Sequence, residues 1–217
     1  MSVEHHMSVS RTARYYTLGA LTDQTTHVWF CLHGFGQLAR FFSKKFEGLV
    51  NDHTFVVVPE GLSRLYLDGK YDRVGASWMT REDRQHEIDD FLAYLHTLFE
   101  TVLAGRDPAT LHITILGFSQ GAATACRWLN SRGPIRADRL ILWAGFFAHG
   151  LADLIDPARL ADVDTHYVYG TQDEFFTLIA DVEDYKAKLL AEVPTLKITA
   201  FDGPHRVETE VLLALVG

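Results

Sequence analysis

The stretch Leu111-His-Ile-Thr-Ile-Leu-Gly117-Phe-Ser119-Gln-Gly121 constrains this chain more than any other. All of Leu111 to Leu116 except His112 is apolar or β-branched, as suits a buried strand. Ala122 to Asn130 then reads as a helix. Between them Gly117-Phe-Ser-Gln-Gly121 fits G-x-S-x-G. A strand, a sharp turn at a serine and a helix form the setting of a nucleophile elbow. The glycines follow from geometry: the serine sits on a strained turn, while strand and helix backbones pass too closely for a Cβ at either flank. The helix N-terminus beneath also favours negative charge developing above it.

A chain of 217 residues with 47% hydrophobic content fits one α/β domain with a sizeable core. Its net charge of −8, with no basic stripe, argues against tracking nucleic-acid phosphates. No apolar run approaches a membrane span, and Met1 to Ser10 lacks a hydrophobic signal core. Cys31 in a strand and Cys126 in a helix read as buried reduced thiols. A cytoplasmic location is expected.

Residues 1–10 are expected to form a flexible N-terminal tail and 11–217 a single domain. Thr12 to Leu18 and His27 to Leu32 are strand-like, and the turn at Thr22–Thr25 suggests that they pair as an edge hairpin. Leu38 to Val50 carries a helical pattern, Phe55 to Val58 a short buried strand. From Glu60 to Thr80 no periodic element emerges, which points to a functional loop such as a rim or lid. Thr80 is placed to cap a helix reaching Val102. Strands follow at Arg139–Trp143, Thr165–Tyr169 and Leu196–Phe201, with helices at Phe175–Val193 and Val207–Val216. Strands alternating with helices predict a mostly parallel central sheet covered on both faces, with no separate lid domain. Ligands of such sheets bind at the carboxyl ends of the strands.

A serine hydroxyl is a weak nucleophile until a base takes its proton, and the base needs an orienting acid. In hydrolases with this elbow the chain order is Ser, then Asp or Glu, then His. Asp173, in Tyr169-Gly-Thr-Gln-Asp173, directly follows a strand, where it also suits a helix N-cap. Asp153 and Asp156 are alternative acids. His205, in Phe201-Asp-Gly-Pro-His205, follows the last strand on a loop that glycine and proline bend and stiffen. His166 opens a strand upstream of Asp173 and reads as a sheet histidine. The oxyanion of acyl transfer needs amide donors. The N–H of Gln120 and that of Phe35, within His33-Gly-Phe-Gly-Gln37, are the candidates, with His33 bracing the loop. Trp78, Phe118, Phe146 and Phe175 lie in or near strand-end loops and are candidate walls of an acyl site.

Two other readings compete. Gly34-x-Gly36-x-x-Ala39, followed by Glu60 at the end of the next strand, also fits the dinucleotide fingerprint of an oxidoreductase. That fold would leave the elbow, Asp173 and His205 without a role. A non-catalytic binding protein could keep the scaffold, but such a protein is expected to lack one of the three side chains. No metal-ligand cluster is expected: His86-Glu87 lacks the second histidine of H-E-x-x-H.

With these residues placed, the sequence resembles the phospholipase/carboxylesterase family of α/β-hydrolases, which includes acyl-protein thioesterases. The matching stretches are Leu32-His-Gly-Phe-Gly, Val58-Pro-Glu-Gly, Gly75-Ala-Ser-Trp78, Gly117-Phe-Ser-Gln-Gly121, Tyr169-Gly-Thr-Gln-Asp173 and Gly203-Pro-His205. The resemblance implies an α/β-hydrolase fold and a serine esterase acting on carboxylic esters or thioesters of small to medium acyl groups. It implies triad roles for Ser119, Asp173 and His205, oxyanion roles for Phe35 and Gln120, and no cofactor. The partner is then a small-molecule ester, and monomer and homodimer both fit. The chain departs from the family pattern at Gln37, where an Asp follows H-G-x-G, and in the charge-rich segment Ser63 to Thr80.

Overall fold

The computed structural model describes residues 1–216, and of Leu178 the backbone alone. Among these residues the strands are β1 (Tyr15–Leu18), β2 (His27–Leu32), β3 (Thr54–Pro59), β4 (Ser63–Tyr66), β5 (Val74–Ser77), β6 (His112–Phe118), β7 (Arg139–Trp143), β8 (Asp164–Gly170) and β9 (Lys197–Phe201). The helices are α1 (Ala39–Phe42), α2 (Arg84–Val102), α3 (Gln120–Asn130), α4 (Val182–Glu192) and α5 (Thr209–Val216).

Seven strands make one sheet in the order β1-β3-β2-β6-β7-β8-β9. All its pairings are parallel except that of β1 with β3. The chain runs outward from β2 to β3, returns to place β6 beside β2, then runs the other way through β7, β8 and β9. That reversal opens a crevice beyond the carboxyl ends of β2 and β6.

The strand residues alternate between two cores, as a sheet covered on both faces requires. Val28, Phe30 and Leu32 of β2 face Phe91, Leu95 and Phe99 of α2 and Cys126 and Trp128 of α3. Trp29 and Cys31 face Phe42, Phe46 and Leu49 and, on α5, Leu212. The two cysteines therefore lie on opposite faces of the sheet, both reduced. Burial pushes both thiols up, that of Cys126 to about 12.

The expected edge hairpin is not formed. The turn at Thr22–Thr25 exists, with the Thr25 N–H donating to Thr22 O at 3.0 Å, but β1 pairs with β3 instead of β2. The burial patterns give the reason: β1 is half exposed, as an edge strand is, whereas β2 is buried on both faces and takes two parallel neighbours. The 60–80 segment is not irregular throughout, because β4 and β5 form an antiparallel hairpin. Two expected helices also divide. Leu38–Val50 becomes α1 and a 3-10 turn at Ser43–Leu49. Phe175–Val193 becomes a 3-10 turn at Phe176–Leu178 and α4, the latter capped by Asp181 accepting the Asp184 N–H at 2.9 Å. Helix α2 starts at Arg84 behind Asp83, whose φ is 49°, and Glu87 reaches back to Thr80.

Glu60, at the end of β3, ties three segments together. Its buried carboxylate accepts from Arg14 at 2.6 Å, from Arg64 at 3.0 Å and from the Ala39 N–H at 3.1 Å. Burial, the largest single influence, pushes this carboxyl up, but the three donors together outweigh it and hold it below the usual glutamate range. The acid that the dinucleotide reading assigned to a ribose is thus committed to structure. A depressed carboxyl stabilises the fold above its unfolded pKa and loses that contribution as pH falls through its folded value. Glu60→Gln should cost about 2 kcal/mol in denaturant melts at pH 7, the arginines being partly exposed and so only partly stranded. The gap between variant and wild type should narrow below about pH 4.5.

Candidate active site

Strand β6 delivers Ser119 into a turn with φ 53° and ψ −116°, outside the helical and extended regions, and α3 starts at the next residue. The packing around the turn is at its limit. A Cβ on Gly117 would run into the Gly121 carbonyl oxygen, and one on Gly121 into that of Leu32. Strand β2 therefore lies directly against the first turn of α3. The Ser119 N–H donates to Trp143 O at 2.8 Å, which anchors the turn to the end of β7. Among the described residues, the Gln120 N–H has no acceptor. The Gln120 side chain instead bridges to the segment after β5, accepting from the Trp78 N–H at 2.9 Å and donating to Met79 O at 2.7 Å.

The loop after β2 packs against the serine: a Cβ on Gly34 would sit 3.2 Å from that of Ser119. Its carbonyls and amides are largely spoken for. The Gly34 N–H donates to Gln37 Oε1 at 2.9 Å, the Gly36 N–H to Ala76 O at 2.8 Å, and the Ala76 N–H to Gln37 O at 3.2 Å. Gln37, the departure from the family pattern, thus holds the loop from within. The Phe35 N–H is left without an acceptor among the described residues, and its ring is 55% exposed. His33 braces the loop from beneath. Its Nε2 accepts from the Gly61 N–H at 2.9 Å, so Nδ1 carries the proton and donates to Gly34 O at 2.7 Å. Full burial lowers this imidazole to about 4, so it is neutral at physiological pH.

The loops after β8 and β9 bring an acid and an imidazole together. His205 Nδ1 lies 2.6 Å from Asp173 Oδ2. Asp173 is 2% exposed, and its Oδ1 accepts the N–H groups of Phe175 at 2.9 Å and Phe176 at 3.4 Å. One carboxylate therefore serves as both turn cap and imidazole partner, the two readings its sequence position allowed. Asp153 and Asp156 are exposed, and Asp156 caps its own 3-10 turn through the Ala158 N–H at 3.0 Å. His166 is buried and bonded to Asp164 at 2.9 Å, away from this group. The His205 ring stands between Phe118 at 4.8 Å and Phe175 at 4.7 Å, centroid to centroid, and so beside the residue that precedes Ser119. Among the described residues, neither the Ser119 hydroxyl nor His205 Nε2 has a hydrogen-bond partner, and no bond joins them. Such bonds are often long without substrate and tighten only when it is bound.

Two of the four candidate acyl-site aromatics need correction. Trp78 is 1% exposed, with its indole N–H on His33 O at 2.8 Å and its ring 5.1 Å from that of His33. Phe118 is buried against Phe42 and His205. Both are packing residues with no face left for a ligand. Phe146 and Phe175 are more than half exposed and remain available, as does Phe35. The expectation of no metal-ligand cluster also needs correction, since His6, Asp83 and His86 bring ligating atoms within 4.8 Å of one another at the exposed start of α2. His6 is far in sequence from Asp83 and His86, so no spacing motif announces the three together. The bracing role of Gln120 is likewise unreadable in the sequence, because its partners at Trp78 and Met79 lie about forty residues away. No described helix is long and apolar enough to cross a membrane.

Comparison with known proteins agrees with this architecture. The structure resembles Zea mays acyl-protein thioesterase 2 (18% identity, TM-score 0.68), with 95% of this chain and 100% of that one covered. It also resembles esterase PE8 (20% identity, TM-score 0.59, 95% and 98% covered) and Arabidopsis thaliana SOBER1 (14% identity, TM-score 0.61, 88% and 96% covered). At these identities the likeness is one of fold, that of an α/β-hydrolase. No curated protein sequence matches the chain. The family model described as Serine hydrolase (FSH1) matches residues 24–210, which include the elbow, Asp173 and His205. The chain belongs to this family of serine hydrolases, on a phospholipase/carboxylesterase-like α/β-hydrolase fold.

Proposed function

We propose that this serine hydrolase cleaves carboxylic esters or thioesters of small to medium acyl groups through an acyl-enzyme on Ser119. The observation that carries this reading is the 2.6 Å bond from His205 Nδ1 to the buried Asp173 carboxylate, which leaves Nε2 free on a ring packed beside the elbow. Asp173 fixes the tautomer in which Nε2 can accept a proton. His205 Nε2 takes the Ser119 proton as Oγ attacks the carbonyl carbon, and the carbonyl electron pair moves onto oxygen. The unpartnered N–H groups of Phe35 and Gln120 receive that oxyanion. As the intermediate collapses, the protonated His205 gives its proton to the departing alcohol or thiol. Water then repeats the cycle on the acyl-enzyme and restores Ser119.

The exposed rings of Phe35, Phe146 and Phe175 support an open apolar rim in place of a deep tunnel. A non-catalytic binding protein is the second reading, favoured by the missing bond between Ser119 and His205.

Labelling by a serine-directed phosphonate decides between them. Wild-type protein should be labelled and turn over p-nitrophenyl esters, and Ser119→Ala should do neither; stoichiometric ester binding without labelling or turnover would establish the second reading. Asp173→Asn should lower kcat by roughly 10⁴-fold, as loss of the orienting acid does in a protease triad. Asp156→Asn should leave the rate within about twofold, its carboxylate only capping a surface turn. Across p-nitrophenyl esters from acetate to palmitate, kcat/KM should peak at short to medium chains. A maximum at palmitate would overturn the open-rim assignment.

A further inference from the structure

A groove of about 580 Å³ adjoins the loop after β2, with Gly36 and Gln37 in its wall. That volume lies within the range of small-molecule clefts. Its charge is opposite to that of the chain as a whole: Arg40, Lys45 and Arg73 line it with a single carboxylate, Asp72, in a protein of net charge −8. Among the described residues none of these three cations is in an ion pair, whereas Arg14 and Arg64 share the Glu60 carboxylate. The Arg40 guanidinium lies over the Phe41 ring at 4.4 Å, and Phe41 and Leu67 supply apolar lining. Cations gathered on an apolar floor attract an anion more strongly than the same cations spread over open surface.

We propose that this groove receives an anionic arm of the substrate, a carboxylate or phosphate carried on the ester or thioester whose carbonyl lies at Phe35 and Gln120. The inference rests on the hydrolase reading for its chemistry but not for its binding. The Phe35 N–H and the Gly36 wall belong to consecutive residues of one loop. In this reading the substrate arm that passes from the first toward the second enters the groove. The groove selects that arm by charge and adds no step to the reaction.

Two matched pairs of substrates test this and identify which arm carries the anion. The p-nitrophenyl monoester of adipic acid is compared with its methyl-capped form, which places the anion on the acyl side. Butyryl-coenzyme A is compared with the butyryl thioester of N-acetylcysteamine, which places phosphate on the leaving group. Wild-type protein should prefer the anionic member of one pair by about tenfold or more in kcat/KM, mainly through KM. The preference should fall at least severalfold in 0.5 M salt, because exposed cations are screened. In Arg40→Gln/Arg73→Gln the ratio of anionic to neutral kcat/KM should drop about tenfold. Calorimetry on Ser119→Ala with both pairs reads binding without turnover, and the anionic member of the same pair should bind more tightly there too. Turnover of neutral esters with no anionic preference in either pair would overturn the groove assignment while the hydrolase reading stands. A preference that survives the double variant would overturn it as well. Absent turnover with tighter anionic binding to Ser119→Ala would uphold the groove and remove the hydrolase reading instead.

Discussion

At the carboxyl end of β6 three backbones meet with no room for a side chain between them. Gly117 lies against the carbonyl of Gly121, and Gly121 against that of Leu32. This contact forces the turn at Ser119 and fixes where α3 begins. It also sets the distance between the elbow and the loop that follows β2, since Leu32 is the last residue of that strand. The Ser119 turn, the N-terminus of α3 and the proposed oxyanion loop are therefore packed against one another as one unit. Strain at the φ of Ser119 is held by the sheet around it, through its bond to Trp143 O and the hydrophobic layers above and below.

The polar groups around that unit follow a consistent economy, each buried side chain holding more than one backbone segment. Glu60 binds two arginines and the start of α1. His33 uses both ring nitrogens on backbone groups from different loops. Asp173 caps its own turn with one oxygen and holds His205 with the other. Buried polar atoms must be satisfied, and satisfying them across segments lets strand-end loops keep a defined geometry without regular structure. It also explains why burial alone does not dictate the ionisation of these groups. His33, with neutral partners, is driven low by desolvation, whereas Glu60 is held ionised by its donors against the same force.

Much of this was legible in the sequence because it rests on local pattern. The run Leu111–Leu116, the glycines at 117 and 121 and the strand-end positions of Asp173 and His205 each announce themselves within a few residues. What escaped was non-local. Pairing of β1 with β3 depends on the sheet order, which a turn at Thr22–Thr25 does not encode. The β4–β5 hairpin has four-residue strands broken by charge and glycine, too short for a periodic signal. Trp78 reads as a loop aromatic because the residues that bury it, His33 and Phe91, meet it only in the folded chain. The divided helix before β9 was hidden by the apolar residues on both sides of the Asp181 cap.

That hairpin has a further meaning. It forms a separate two-stranded sheet, and it grips the loop after β2 through Gly36, Ala76 and Gln37, and the elbow through Gln120. A pair of short strands has little stability of its own and opens more readily than a seven-stranded core. The machinery at the strand ends is thus as durable as its weakest clasp. On warming, rate should decay while the circular-dichroism signal is still native, so inactivation and melting mark two separate temperatures in one molecule.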